Sequence, residues 1–279
     1  EVADVVLRQL RAERIDVFLN ATVDLVRTEE GGKLIRLAQQ DSPPHFVEVD
    51  QILVATGRVP ASDGLGLDIP GVETDNGRII VDGRMQTTAS HIWACGDVVG
   101  PPFSTHVADD QARTVASNIL GSNAAWNSKA IPTTIFTDPE IAIVGLNEEE
   151  ARSEFGEDLE VLRLQFQDID RAVTDGTESG LVKVLLVPGW NRGLLGGEVA
   201  GAHVAGERAG EILQQFAFLM RWRLPVGLLA KTIQSYPTYS LGGRQVVGQH
   251  WLDPQVRWGM ESPRNRIKDW FADKLDRSS

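Results

Sequence analysis

Val2, Val5, Val6 and Leu10 recur at helical spacing, and the run from Ile15 to Leu19, interrupted by one aspartate, has strand character. This is the pattern of the second half of an α/β unit. Short strand-like runs follow at Ala21 to Arg27, Leu34 to Leu37 and Phe46 to Val49. They are separated by Gly31-Gly32 and Pro43-Pro44 and predict a small meander. The continuously apolar run from Gln51 to Gly57 predicts a strand buried on both faces, its C-terminal end facing a ligand crevice. Beyond a glycine-rich loop, Gly64 to Gly77, two more strands are expected at Arg78 to Asp82 and His91 to Cys95, the second stopping at Gly96-Asp97. Thr105 is positioned to cap a helix running to about Leu120. Asp109 and Asp110 fall in its first turns, and Gly121 closes it.

A small, polar linker, Ser122 to Ala130, separates this half from a second unit in which strands and helices mix less regularly. Asn147 followed by Glu148, Glu149 and Glu150 has the form of a capping box. Runs at Leu159 to Phe166, Leu181 to Val187 and Leu195 to Val204 predict an antiparallel sheet, and Ala209 to Trp222 a long helix stopped near Pro225. Past Trp251, Ile267, Trp270, Phe271 and Leu275 share one face of a short amphipathic stretch. It is expected to pack on its own domain, with membrane or partner docking as the alternative.

Charge narrows the partners. With 39 acidic against 27 basic residues the formal net charge is −12, which argues against nucleic acid, because phosphate contacts draw on Lys and Arg. No apolar run is long enough to cross a bilayer. A single cysteine, Cys95, excludes an internal disulfide framework and fits a reducing, cytoplasmic setting; on its apolar strand it reads as a small core residue. His45, His91, His203 and His250 are scattered without metal-ligand spacing, so no metal site is expected. The chain opens at Glu1 in what reads as mid-helix, with no methionine or capping residue before it, as a fragment would.

The chemistry concentrates in three blocks: Ala55-Thr56-Gly57-Arg58-Val59-Pro60, Thr88 with Ile92 to Asp97, and Thr105-His106-Val107-Ala108. A strand ending in Gly96-Asp97 carries a carboxylate at its tip, where it can accept hydrogen bonds from the hydroxyls of a sugar-like chain. A helix starting near Thr105 aims free backbone N–H groups at an electron-rich ring. The alternative for Asp97 is a turn carboxylate after a buried strand, and His106 can act through its backbone alone.

These blocks resemble the ATGRxP, T-x-x-x-IxAxGD and THxA motifs of the FAD-dependent pyridine nucleotide-disulfide oxidoreductases, which include dihydrolipoamide dehydrogenase and mercuric reductase. The resemblance covers most of Ile52 to Asn118. It implies that Asp97, with Gly96, binds the ribityl chain of FAD, that Thr105, His106 and Ala108 meet the flavin edge, and that Gly57 lies along NAD(P)H. Ala61 departs from the asparagine usual in the family. Ile131-Pro132-Thr133, Phe136 to Gly145, Gly201-Ala202-His203 and Ala209-Gly210-Glu211 resemble the same family's interface domain. That domain implies a homodimer in which the loop Ser235 to Ser240 completes the partner's active site.

In this loop Tyr236 and Leu241 stand where the commonest pattern has a histidine and a glutamate. Mercuric-reductase-like members also carry the tyrosine. A phenol titrates near ~10 and is a poor base at neutral pH, so Tyr236 and Tyr239 are candidates either for catalysis or for an aromatic pair buried at the subunit interface.

The expected architecture is a partial FAD/NAD(P)-binding, Rossmann-like α/β part followed by an α+β dimerisation domain. Residues 1–60 are the remnant of the NAD(P)-binding domain, 61–121 the C-terminal FAD-binding segment, 131–250 the dimerisation domain and 251–279 a tail. Neither a G-x-G-x-x-G loop nor a C-x-x-x-x-C pair occurs in the sequence, and both are expected upstream of Glu1. The implied activity is transfer of hydride from NAD(P)H through flavin to a disulfide, a metal ion or another small acceptor, in the service of redox homeostasis. The alternatives are a non-catalytic dimerisation module and a thiol-independent NADH oxidase or quinone reductase.

Overall fold

The computed structural model describes residues 1–40, 42–189 and 196–248. They fall into two compact units, Phe18–Ser128 and Glu1–Val17 with the chain from Lys129 onward. The amphipathic stretch at Ile267 to Leu275 lies outside the described residues.

In the unit Phe18–Ser128 the meander is present. Strands β1 (Ala21–Glu29), β2 (Gly32–Gln39) and β3 (His45–Val49) form an antiparallel sheet in that order, with a bulge between Val23 and Leu25. Gly31, at φ +101°, makes the tight turn between β1 and β2. Arg36 on β2 donates to both carboxylate oxygens of Asp24 on β1, at 2.9 and 3.0 Å.

Three expected strands are absent. Ile15 to Leu19 and Gln51 to Gly57 are irregular, and Leu53 is 91% exposed rather than buried on both faces. A strand exists only through its ladder, and no described strand pairs with these segments. His91 to Cys95 is extended but touches a neighbour only through the single bridge Gln86↔Trp93 and loop hydrogen bonds such as Ala94 N–H to Met85 O at 3.2 Å. The expected strand at Arg78 to Asp82 shrinks to β5 (Arg78–Ile79), paired with β4 (Thr74–Asp75) across a turn in which Asn76 and Gly77 both have positive φ. Val72, Ile79, Ala89 and Ala94 form the small core beneath it.

Gly96–Val99 make one turn of 3-10 helix, and α2 (Thr105–Ile119) follows. Its N-cap is Ser104, not Thr105, with no side-chain capping bond, and no acidic residue sits in its first turn. Asp109 lies in the second turn and pairs with Arg113 at 3.0 Å. Val107, Gln111 and Asn118 are its buried face, and Gly121 ends it at φ +98°.

The other unit is built on a five-stranded antiparallel sheet in the order β6 (Thr133–Ile135), β7 (Glu140–Gly145), β10 (Glu198–Gly206), β9 (Leu181–Val187), β8 (Glu160–Gln165). The three strands read from the sequence occupy one half of it. β6, of three residues, and β7, of six, were not marked as strands from the sequence. α3 (Glu148–Phe155) carries the capping box: the Asn147 side chain accepts from Glu150 N–H, and Glu150 accepts from Asn147 N–H, both at 2.9 Å.

α4 (Asp170–Asp175), the long α5 (Ala209–Arg221), α6 (Val226–Lys231), whose N-cap is Pro225, and a helical segment 241–248 complete the unit. Its core joins Phe166, Ile169, Val184, Val204, Ile212, Leu213 and Phe216, all fully enclosed. Burying side chains of this size contributes about 1.5–3 kcal/mol each.

α1 (Val2–Ala12) packs on β7 and β10 through Val5 and Val6. Below it, Arg163 on β8 and Lys183 on β9 are direct cross-strand partners, and both pair with Glu1 and Glu148. Hydrogen bonding to Arg163 holds the Glu1 carboxyl down to about 2, and hydrogen bonding to Lys183 lowers that of Glu148. Carboxylates depressed in the folded state add stability above their unfolded pKa and lose it as pH falls toward the folded value. Chemical denaturation between pH 5 and about 2 is therefore expected to show stability falling with pH, with a shallower fall in Lys183→Met; an identical acid limb in the variant would contradict this.

Candidate functional site

In the unit Phe18–Ser128 the structure brings Gly96, Asp97 and Ala108 together. Gly96, at φ +78°, lies so close to α2 that a Cβ there would sit 3.2 Å from the Ala108 Cβ. The Gly96 N–H donates to Gln111 Oε1 at 2.7 Å, and Gln111 is only 3% exposed. This buried amide, one turn after Val107, ties the 3-10 turn to the helix. Gln111 was not singled out from the sequence, although a polar residue on the apolar stripe of a helix is a visible signal.

Asp97, next in the turn, keeps 48% of its side chain exposed and faces Arg58, Nη1 to Oδ2 3.6 Å. Arg58 was named in its motif without a role. It follows Gly57, whose φ of +138° with open space where a Cβ would stand sets the direction of the chain there.

Thr105 and His106 open α2, and their residues lie in the first turn, where N–H groups have no helical partner. The Ser104 hydroxyl lies 3.4 Å from His106 Nε2 rather than capping the helix. The result is a half-exposed carboxylate on a pinned turn and a helix mouth not covered by a side-chain cap. Such a pair can hold a polyhydroxylated chain by its hydroxyls and place negative charge at a helix N-terminus.

The tyrosines belong to the other unit and differ from each other. Tyr239 is 6% exposed, and its hydroxyl donates to Asp175 Oδ2 at 2.9 Å and meets Thr177 Oγ1 at 2.8 Å. Burial pushes this phenol up, and the Asp175 carboxylate adds to the shift. Tyr236 is 69% exposed. Hydrogen bonding to the Asp170 carboxylate raises its pKa, so it stays a neutral donor at ordinary pH. The loop is further fixed by Gln215 Nε2 to Ser240 O at 2.9 Å and Thr238 Oγ1 to Ser235 O at 2.9 Å. Pro237 to Ser240 line an open cavity of about 510 Å³ with Arg171, Arg208 and Glu211.

Among the described residues no group of three or more His, Cys, Asp or Glu side chains is placed to hold a metal, and no helix is long and apolar enough to cross a membrane.

Residues 1–112 match the family model for pyridine nucleotide-disulphide oxidoreductase, and residues 131–245 match the model for that family's dimerisation domain. The chain belongs to the pyridine nucleotide-disulphide oxidoreductase family, whose dihydrolipoyl dehydrogenase-like members use FAD and NAD(P)H. Its relatives include a dihydrolipoyl dehydrogenase of Haloferax volcanii, 32% identical over 85% of this chain and 49% of the relative, and one of Thermus scotoductus, 35% identical over 87% and 51%. Among solved structures it resembles the HOCl-induced flavoprotein disulfide reductase RclA from Escherichia coli, with a TM-score of 0.78 and 28% identity over 88% of this chain and 55% of that one. LpdA from Mycobacterium tuberculosis gives 0.77 and 26% over 89% and 52%. The chain spans about half the length of the relatives it matches.

Two outcomes follow from the geometry. Gln111→Leu removes the acceptor of the part-buried Gly96 N–H and is expected to lower stability by about 1 kcal/mol in denaturant titration. Tyr239→Phe removes the phenol bridging Asp175 and Thr177 and is expected to cost about 1–2 kcal/mol. A midpoint unchanged from wild type in either variant would show the bond to be idle.

Proposed function

We propose that this chain supplies the flavin-closing and dimer-forming parts of a flavin-dependent oxidoreductase that passes hydride from NAD(P)H through FAD to a disulfide, a metal ion or another small acceptor. The observation that carries the proposal is Asp97 on a turn pinned to α2, the helix whose N-cap, Ser104, makes no side-chain capping bond. The donor set fits a flavin: one half-exposed carboxylate for ribityl hydroxyls, backbone N–H groups for the ring edge, and a glycine where a Cβ would crowd Ala108.

When bound, FAD supplies two-electron chemistry between nicotinamide and acceptor. Asp97 accepts hydrogen bonds from the ribityl hydroxyls. The N–H groups at Thr105 and His106 favour negative charge at the ring edge. Of residues 1–60, Glu1–Val17 pack with the unit from Lys129; the remainder belongs with the NAD(P)-binding domain, where Gly57 leaves the backbone open to the nucleotide, and 61–121 with the FAD-binding domain.

The part from 131 to 250 forms a homodimer. In the loop of that part Tyr239 is the anchor and Tyr236 the exposed donor presented toward the partner's acceptor site. Because Tyr236 stays protonated, its role is hydrogen-bond or proton donation, not the base chemistry of a histidine–glutamate pair. An acceptor that takes up electrons without a thiol relay is therefore served as well as a disulfide. RclA, a flavoprotein disulfide reductase that has been solved as a Cu(II) complex, offers a structural parallel for a metal acceptor.

Titration of the purified chain with riboflavin, followed by flavin fluorescence, tests the reading. Wild type is expected to bind saturably, and Asp97→Asn to bind about 10–100-fold more weakly, as loss of a charge-assisted hydrogen bond requires. A stable dimer that binds no riboflavin, or one indifferent to Asp97→Asn, would overturn the flavin assignment and leave a dimerisation module.

A further inference from the structure

We propose that Arg58 is a positioning residue for the flavin: it engages one oxygen of Asp97 and thereby presents the other to the ribityl hydroxyls. The inference rests on the flavin reading of Asp97 and extends it to a residue of a separate segment.

Two features hold the carboxylate where Arg58 meets it. The Asp97 backbone is fixed from behind, because Gly96 is hydrogen-bonded to Gln111 and packed against Ala108. Its side chain is met from the front by Arg58 Nη1, 3.6 Å from Oδ2, with Arg58 itself 67% exposed. Asp97 nonetheless remains half exposed while paired. The guanidinium therefore occupies one side of the carboxylate and leaves the rest open to a ligand.

A carboxylate free to rotate would spread its acceptor oxygens over several rotamers, and each bond to a hydroxyl would then carry the cost of ordering it. A neighbouring guanidinium prepays part of that cost. At 3.6 Å in solvent the pair is loose, so its effect is small and sensitive to screening. Arg58 follows Gly57, and the positive φ of that glycine directs the chain at the point where Arg58 leaves it.

Riboflavin is the suitable probe because it carries the ribityl chain and no charge, so the difference in salt dependence between wild type and Arg58→Met reports the protein's own ion pair. Wild type is expected to bind more weakly as salt rises from about 0.01 to about 1 M, over which the screening length shrinks from about 30 to about 3 Å. Arg58→Met is expected to bind about two- to fivefold more weakly than wild type at low salt and to lose the salt dependence, a change of up to about 1 kcal/mol. Arg58→Lys, which keeps the charge, should recover part of the affinity.

Affinity in Arg58→Met equal to or tighter than wild type at low salt, or the same salt dependence in the two proteins, would overturn the proposal by showing Arg58 idle or obstructive. If instead Asp97→Asn binds as wild type does, the flavin reading itself fails. The two failures are thus separate.

Discussion

The buried amide of Gln111 accepts a hydrogen bond from the N–H of Gly96, and this contact fixes where Asp97 can be. Without it the 3-10 turn would be held to α2 only by the loop of residues 100–104 and the packing of Gly96 on Ala108. With it, the turn that carries the negative side chain is tied to the helix whose N-cap, Ser104, makes no side-chain capping bond. The close approach of Gly96 to Ala108 explains why these two positions carry the smallest side chains of the block. An N–H left unpaired behind a helix costs more than the bond's net contribution, so the bond ties the turn to the helix.

Much of this was legible in the sequence, for identifiable reasons. α2, α5 and the capping box at Asn147 are local structures whose signals lie within a few residues of one another: the two helices occur where apolar spacing puts them, without side-chain caps, and the box where its capping chemistry does. The meander was marked by its turn residues. Gln51 to Gly57 shows the limit of such reading: its composition is that of a doubly buried strand, but composition specifies an appetite for partners and not their presence. β6 and β7 were missed for the converse reason. They are strands because of their ladders, β7 on β10 and β6 on β7. At the candidate site, the motif residues Gly57, Gly96, Asp97, Thr105, His106 and Ala108 were named from the sequence, and so was Arg58 without a role; the contacts of Arg58 and Gln111 are ones that only folding reveals.

The two tyrosines, indistinguishable as letters in one loop, separate by environment. Tyr239 spends its hydroxyl on Asp175 and Thr177 inside the sheet unit and makes the loop a fixed platform. Tyr236, one turn of chain earlier, is carried on that platform into solvent with Asp170 nearby. A loop built this way presents one polar group outward at a defined position, as a residue completing a neighbouring subunit's site must be presented.

Backbone amide mapping by two-dimensional NMR during addition of riboflavin addresses the central claim most directly, since it reads the location of contact without requiring turnover. The account places the largest shifts at Gly96, Asp97, Thr105, His106 and Val107, with the β1–β3 meander unmoved. Shifts concentrated on the meander, or none at the Gly96 turn and the α2 mouth at saturating ligand, would contradict it.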